Sequence, residues 1–209
     1  FDKALECDNN FADAYGNRAN MLTELGRNAE AISSFDRAVA LNPRSASDWL
    51  NRGATLHGLG RVEDAIVSYD KAIALDPDFC VTHNNRAHAL LDAGRNDEAL
   101  AAYDRAISLE PNEPTPHHWY SLLLSRVGRL NLALDQARKA QELDPTSPVL
   151  AANLAGMYLM LGEDEQALRF SKLAADLGLS KKQSGIESAV AMRRGQWAEA
   201  RRLIVAQED

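Results

Sequence analysis

The apolar residues of the chain recur with helical spacing inside a longer, fixed period. Residues 46–79 carry two stripes with the three-to-four-residue spacing of helix faces, Trp49, Gly53 and Leu56 and then Ala65, Tyr69 and Ala72. The pattern returns every 34 residues, so that Gly60 has counterparts at Gly26, Gly94, Gly128 and Gly162. A fixed period of this length is typical of proteins built from stacked repeats. Each 34-residue window therefore predicts a pair of helices.

Two residue types predict where these helices end. The glycine at position 15, counted from the start of each window, ends the first helix, because a left-handed conformation costs glycine nothing sterically. The prolines at position 32 end the second helix, because the residue before a proline is pushed out of the helical region. The predicted units are a half repeat at 1–10, full repeats at 12–45, 46–79, 80–113, 114–147 and 148–180, and a degenerate capping hairpin at 182–209.

The last hairpin departs from the period, because its glycine follows the preceding one at a spacing of 33 residues. Its final helix places Trp197, Ala200 and Ile204 on one stripe and leaves Arg201 and Arg202 for solvent. This pattern fits a terminal cap, which needs a polar outer face.

Paired columns predict contacts inside each repeat. Antiparallel helices bring positions that sum to about 32 level with each other, so Gly53 should face Tyr69. Arginine at position 7 and aspartate at position 25 occur together in the first three full repeats and are both replaced in the fourth and fifth. We predict structural ion pairs within these repeats, Arg18–Asp36, Arg52–Asp70 and Arg86–Asp104. The alternative joins each arginine to the aspartate of the preceding repeat.

The recurring columns resemble those of the tetratricopeptide repeat (TPR) family. The residues that carry the resemblance in the second full repeat are Trp49, Gly53, Leu56, Gly60, Ala65, Tyr69, Ala72 and Pro77. The resemblance implies an all-α, right-handed superhelix of about five and a half helix hairpins plus a C-terminal capping hairpin. It also implies that the first helices line a concave groove with positions 2, 5, 6, 9, 12 and 13.

Position 6 of this groove carries asparagine in four of the five full repeats, namely Asn17, Asn51, Asn85 and Asn153, and Trp119 in the other. An exposed amide offers both a donor and an acceptor, so it can hydrogen-bond a peptide backbone. The series is similar to the asparagines in the TPR domain of O-linked N-acetylglucosamine transferases. A structural role at the helix surface is the alternative. Further groove candidates are Asn20, Asn84, His88 and His118.

The predicted groove changes character along the chain. Its N-terminal half is polar, with residues such as Asp13, Glu24, His57 and Asp92. Its C-terminal half is more apolar, with Trp119, Leu122, Val149, Leu159, Met160, Ile186 and Met192. Exposed tryptophan and methionine favour the anchoring of a partner. The alternative is that the last repeats fold inward and cover these side chains.

Composition and motifs narrow the function classes. A net charge of −7 argues against nucleic-acid binding, and no stretch approaches the ~20 apolar residues of a membrane span. The sequence has no phosphate-binding loop and no HExxH motif, and its five histidines lack converging metal-ligand spacing. His83 and His117 are instead expected to replace the aromatic residue at position 4. Cys7 and Cys80 should be small buried or half-buried thiols. We therefore expect no catalysis, metal or cofactor.

The sequence predicts a cytoplasmic, non-catalytic protein–protein interaction module that binds a peptide or protein segment in its concave groove. One alternative is the substrate-recruiting arm of a larger enzyme, for example a glycosyltransferase. Another is a self-assembling scaffold, a homo-oligomer formed through the half repeat at 1–10, which has no first helix to pack on. A clamp for a C-terminal carboxylate needs a cation at position 5 and is excluded, because that column reads Gly16, Leu50, Asn84, His118 and Ala152.

Overall fold

The computed structural model describes residues 12–179 and 185–208. The predicted half repeat at 1–10, with Cys7, and the first residues of the predicted cap lie outside these ranges. The described residues form twelve α-helices and no strand. The helices are α1 (Ala12–Glu24), α2 (Asn28–Leu41), α3 (Ala46–Gly58), α4 (Val62–Leu75), α5 (Cys80–Asp92), α6 (Asn96–Leu109), α7 (Pro114–Arg126), α8 (Leu130–Leu143), α9 (Pro148–Leu161), α10 (Asp164–Asp176), α11 (Ile186–Arg193) and α12 (Trp197–Glu208).

The chain divides into two compact units, Phe1–Pro111 and Asn112–Asp209. In the first unit the hairpins α1–α2, α3–α4 and α5–α6 stack in sequence, each second helix packing on the next first helix. The second unit stacks α7–α8, α9–α10 and α11–α12 in the same way. The first helices of consecutive hairpins also contact one another within each unit. This consecutive packing of hairpins is an α-solenoid, the fold class that the sequence predicted.

The glycines and prolines end the helices as predicted. The five glycines at position 15 have φ between +71° and +82°, the left-handed region that favours glycine. After Gly60, the Arg61 N–H donates to the Leu56 oxygen at 2.9 Å, which closes the end of α3. Asn42 and Asp76, which precede prolines, have extended φ values of −127° and −137°. Proline therefore ends the second helices through its effect on the residue before it.

The core of a hairpin pairs a large residue with a small one. Tyr69 is 1% exposed, and its ring lies against Gly53, where an added Cβ would come within 2.7 Å of the ring.

The aromatic residue at position 4 makes a hydrogen bond to the preceding repeat. The indole N–H of Trp49 donates to the oxygen of Pro43 at 3.1 Å. In the next repeat His83 takes the place of the tryptophan and bonds through Nε2 to the oxygen of Pro77 at 2.8 Å. The imidazole thus preserves the hydrogen bond of the aromatic residue it replaces.

The C-terminal hairpin differs from the predicted polar cap. Ala200 is buried, but Trp197 is 69% exposed and Ile204 is 40% exposed. Helix α11 has 8 residues and α12 has 12, so α11 is too short to cover the whole length of α12. Trp197 is the first residue of α12 and stands beside the turn. The expected apolar stripe exists, but within the described residues only its middle member is covered.

The contact of Gly53 with Tyr69 gives a test of the hairpin core. Gly53→Ala should destabilise the fold by about 1–3 kcal/mol, because the new methyl group meets a buried ring that cannot move aside. Urea unfolding followed by circular dichroism measures the effect as a lower midpoint.

Gly58→Ala is the matched control in the same helix, because an added Cβ there meets nothing within 4 Å. This control should leave stability unchanged or raise it by up to about 1 kcal/mol, since alanine is the better helix former. Equal effects of the two substitutions on stability would show that the contact between Gly53 and Tyr69 tolerates an added methyl group.

Candidate functional site: the first-helix face

We name the exposed surface of α1, α3 and α5 in the first unit the first-helix face; besides polar side chains it carries the exposed Met21 and Val81. Consecutive first helices are in contact along it. A cleft of about 430 Å³ opens on it between α1 and α3. The cleft is lined by Asn20, Thr23, Glu24, Phe35, Asn51, Ala54 and Thr55. Two of the predicted groove asparagines therefore meet in one concavity.

Asn20 and Asn51 are joined by a hydrogen bond in this cleft. The Asn51 amide nitrogen donates to Asn20 Oδ1 at 3.2 Å, so each side chain holds the other in place. Both residues are half-buried. The bond leaves Asn51 Oδ1 and the Asn20 amide N–H groups for a ligand. The pair thus presents an acceptor and donors side by side, matching what a peptide backbone offers.

The other groove candidates of the first unit differ in accessibility. Asn17 is exposed and Asn85 is half-buried. Asn84 is buried, and its Oδ1 has no hydrogen-bond partner. His88 is half-buried, with its ring edge-on to that of Tyr103 at 5.7 Å between centroids. Of this group, Asn17 and Asn85 are therefore placed to meet a ligand, whereas the Asn84 oxygen is enclosed by the protein.

An additional contact on this face links the second and third full repeats. His57 Nε2 lies 2.8 Å from Asp92 Oδ2. The aspartate is exposed and the histidine half-buried. The sequence identified both as polar groove residues, but the hydrogen bond between them follows from the stacking of α3 on α5.

In the second unit the position-6 asparagine has a structural role. The Asn153 amide nitrogen on α9 donates to Ser121 Oγ at 2.7 Å and to His118 Nδ1 at 3.1 Å, both on α7. An amide nitrogen can only donate, so His118 Nδ1 is the acceptor and the ring is neutral. Burial lowers the pKa of the His118 imidazole, which favours that neutral form. Asn153 thus uses its donors to hold two repeats together.

Apolar side chains are exposed on the first helices of the second unit. Trp119 is 37% exposed, Val149 53% and Met160 52%. Met192 on α11 is also exposed, whereas Ile186 is buried. Trp119 lies against the His118 ring, at 5.1 Å between centroids. The second unit thus exposes apolar first-helix residues as predicted, with Ile186 as an exception, but the first unit also exposes Met21 (49%) and Val81 (47%).

The arginine–aspartate pairs connect neighbouring repeats, so the intra-repeat prediction is wrong for two of its three pairs. Arg52 Nε bonds to Asp36 Oδ1 at 2.8 Å, and Arg86 Nε bonds to Asp70 Oδ1 at 2.6 Å. The alternative pairing is the one that the structure contains. Asp104, the predicted partner of Arg86, is exposed. Arg18 donates to Ser34 Oγ. In the alternative pairing its partner would be Asp2, which lies outside the described residues.

Two of the three arginines also bond to a serine of their own repeat. Arg52 Nη1 donates to Ser68 Oγ at 2.7 Å within its own repeat, while its Nε reaches back to the preceding one. Arg18 and Ser34 repeat the serine contact. The sequence carries a signal for the serine contact in the first two full repeats, where position 23 is Ser34 and Ser68; the third has Ala102 there, and Arg86 still bonds to the preceding repeat. Arg52 therefore lies between two second helices, and all three arginines bond to second helices.

Two other kinds of site are absent from the described part of the chain. No cluster of three histidine, cysteine, aspartate or glutamate side chains within 12–179 and 185–208 could hold a metal ion. Among the described helices none is long and apolar enough to cross a membrane.

Comparison with protein families identifies the type of repeat in part of the chain. Residues 10–76 and residues 81–113 each match the tetratricopeptide repeat. Residues 10–76 and 81–113 of the chain are therefore tetratricopeptide repeats. A comparison with curated protein sequences finds no match.

Three solved structures illustrate the likeness of fold. YrrB, described as a TPR protein with an unusual peptide-binding site, is 22% identical with a TM-score of 0.72, covering 93% of this chain and 97% of its own. PilF of Pseudomonas aeruginosa is 20% identical with a TM-score of 0.79, covering 94% and 88%. MamA of Desulfovibrio magneticus RS-1 is 19% identical with a TM-score of 0.73, covering 79% and 94%. At these identities the comparison shows the fold alone.

A double-mutant cycle tests the pairing of the arginines. Combining Arg52→Met with Asp36→Asn should give a favourable coupling of at most about 1 kcal/mol, because the aspartate is half exposed and water screens the pair. Urea unfolding of the four proteins measures it.

The cycle of Arg52→Met with Asp70→Asn is the control and should give no coupling, since Asp70 bonds to Arg86. A larger coupling to Asp70 than to Asp36 would restore the intra-repeat pairing.

The half-buried His118 gives a test of pH dependence. Its pKa is lower in the folded than in the unfolded protein, so the unfolded state takes up a proton first as the pH falls. The contribution of His118 to stability is therefore complete above about pH 6.5, and it decreases as the pH falls below that value.

His118→Gln serves as the comparison, because glutamine keeps a hydrogen-bond acceptor without titrating. Thermal unfolding of both proteins between about pH 5 and pH 8 should show a stronger decrease for the wild type. If the stability of the two proteins decreases equally with pH, protonation of the His118 ring does not destabilise the fold.

Proposed function

We propose that this chain is a non-catalytic interaction module whose first-helix face binds an extended segment of a partner protein. The observation that carries the proposal is the Asn20–Asn51 pair in an open cleft. An extended peptide alternates N–H and C=O groups along its length, and the two amides offer the complementary acceptor and donors. Recognition of this kind reads the backbone, so it tolerates different side chains in the partner.

The preorganisation of the pair supports this role. A flexible asparagine loses rotamer entropy when it binds, and that loss reduces affinity. Here the bond between the two amides and their partial burial already limit that freedom. Asn17 and Asn85 extend the series to either side with accessible amides.

The apolar first helices of the second unit support binding of a protein segment. Trp119, Val149 and Met160 expose large surfaces there, and such residues commonly anchor a partner. The similar structure of YrrB is described as having a peptide-binding site. Binding of peptides by the same fold makes the first-helix face the first surface to test.

Display of random peptides on phage, with the wild-type protein as the target, tests this proposal. We expect to select peptides that bind the wild type and bind Asn20→Ala or Asn51→Ala about 2–10-fold more weakly. Each substitution removes a hydrogen bond to the peptide and also the bond that holds the other asparagine in place. Fluorescence anisotropy of labelled peptides measures the affinities.

Asn131→Ala is the matched control, because Asn131 is an exposed asparagine on the second helix α8. It should leave the affinity unchanged. The proposal fails if no peptide binds the wild type, or if all bound peptides keep their affinity for both cleft variants.

A further inference from the structure

The charged residues of the first helices are sorted by sign. Helices α1, α3 and α5 contain three cations, Arg18, Arg52 and Arg86. Each donates to a residue of a second helix, and Arg52 and Arg86 are held there by ion pairs. The cations of these three helices are therefore engaged away from the first-helix face.

The carboxylates of the same helices are distributed differently. Asp13 and Glu24 on α1 and Asp92 on α5 are exposed, and Glu24 lines the cleft. The fourth carboxylate belongs to Asp48 on α3. Because the arginines bond elsewhere, the face carries carboxylates without a lysine or arginine of these helices beside them. A surface of this kind attracts a positively charged partner.

Asp48 is the carboxylate that points to a specific ligand. It is 9% exposed, so more than nine-tenths of it is buried. Its carboxylate accepts no hydrogen bond and forms no ion pair with any residue in the described part of the chain. The first turn of α3 offers it the positive end of a helix dipole, and its own N–H is bonded by Ser45. No cation of the described residues pairs with the Asp48 carboxylate, so a cation of a ligand can pair with it.

Glycine at position 16 determines where this carboxylate lies. A Cβ on Gly16 would come within 2.5 Å of Asp48 Oδ1, so the carboxylate occupies the space in which a side chain at 16 would begin. Residues three and four apart share a helix face, so this spot lies between Asp13 and Asn20. Asn20 belongs to the cleft. The Asp48 carboxylate is thus next to the proposed path of a peptide.

We propose that the partner segment is basic and that one of its lysine or arginine side chains binds the Asp48 carboxylate beside Gly16. This inference rests on the proposed function and identifies the chemistry of its ligand. The Asn20–Asn51 pair holds the backbone of the segment, and Asp48 selects a cation at one position. Asp13, Glu24 and Asp92 add attraction that is not specific to a position and that salt screens.

Selection of random phage-displayed peptides on the wild type and on Asp48→Asn tests the inference. Peptides selected on the wild type should be enriched in lysine and arginine, with one basic residue at a constant place in the motif. The same peptides should bind Asp48→Asn roughly 10-fold more weakly, because a charge-assisted contact is lost. Asn occupies nearly the same volume as Asp, and circular dichroism checks that the variant folds.

Asp97→Asn is the matched control for charge, since Asp97 is an exposed carboxylate in the first turn of α6, a second helix. It should leave both motif and affinity unchanged. Gly16→Ala is a second test that keeps the charge, because its methyl group displaces the carboxylate. It should reduce the preference for a basic residue, whereas Gly156→Ala on α9, where an added Cβ meets nothing within 4 Å, should not.

The outcomes separate this inference from the proposed function. If selected peptides lose affinity for the Asn20 and Asn51 variants but show no basic enrichment, or keep it with Asp48→Asn, the inference is wrong and the binding face stands. If the wild type selects no peptide, both are wrong. A basic motif that is lost in Asp48→Asn and Gly16→Ala, and kept in both controls, supports the assignment.

Discussion

The rest of this structure depends on the close approach of the two helices in each hairpin. Tyr69 packs against a helix at Gly53, where a Cβ would lie within 2.7 Å of its ring. Phe35 and Tyr103, its counterparts in the neighbouring repeats, are likewise fully buried. The glycines with positive φ return the chain at the distance that this contact requires. Because two helices cannot enclose all of their own apolar surface, the remainder must be covered by the next repeat.

Stacking explains why the polar contacts run between repeats. Arg52 bonds to the serine of its own second helix and to the aspartate of the preceding one, so a single guanidinium joins three helices. Asn153 makes an equivalent connection between first helices in the second unit. A half-exposed pair contributes little free energy. These bonds also keep the arginines between the second helices and away from the first-helix face.

The first-helix face follows from that sorting of charge. The arginines are used between second helices, and the carboxylates remain, one of them buried beside Gly16. The Asn20–Asn51 pair adds hydrogen-bonding groups in a cleft whose side chains are already positioned. The residues of the proposed backbone recognition and of the proposed cation contact thus lie on the same helix surface. Both properties come from residues that do not belong to the stripes that build the fold.

The sequence alone determined the helix hairpins, their ends and the stacking of repeats, because glycine, proline and apolar spacing act within a few residues of each other. It also identified the asparagine column and the place of His83. Only the tertiary structure decided the partners of Arg52 and Arg86, the different roles of Asn51 and Asn153, and the contact of Asp48 with Gly16. These contacts depend on how far each repeat is displaced and rotated relative to the one before it. The period of 34 residues gives the length of a repeat but not that displacement.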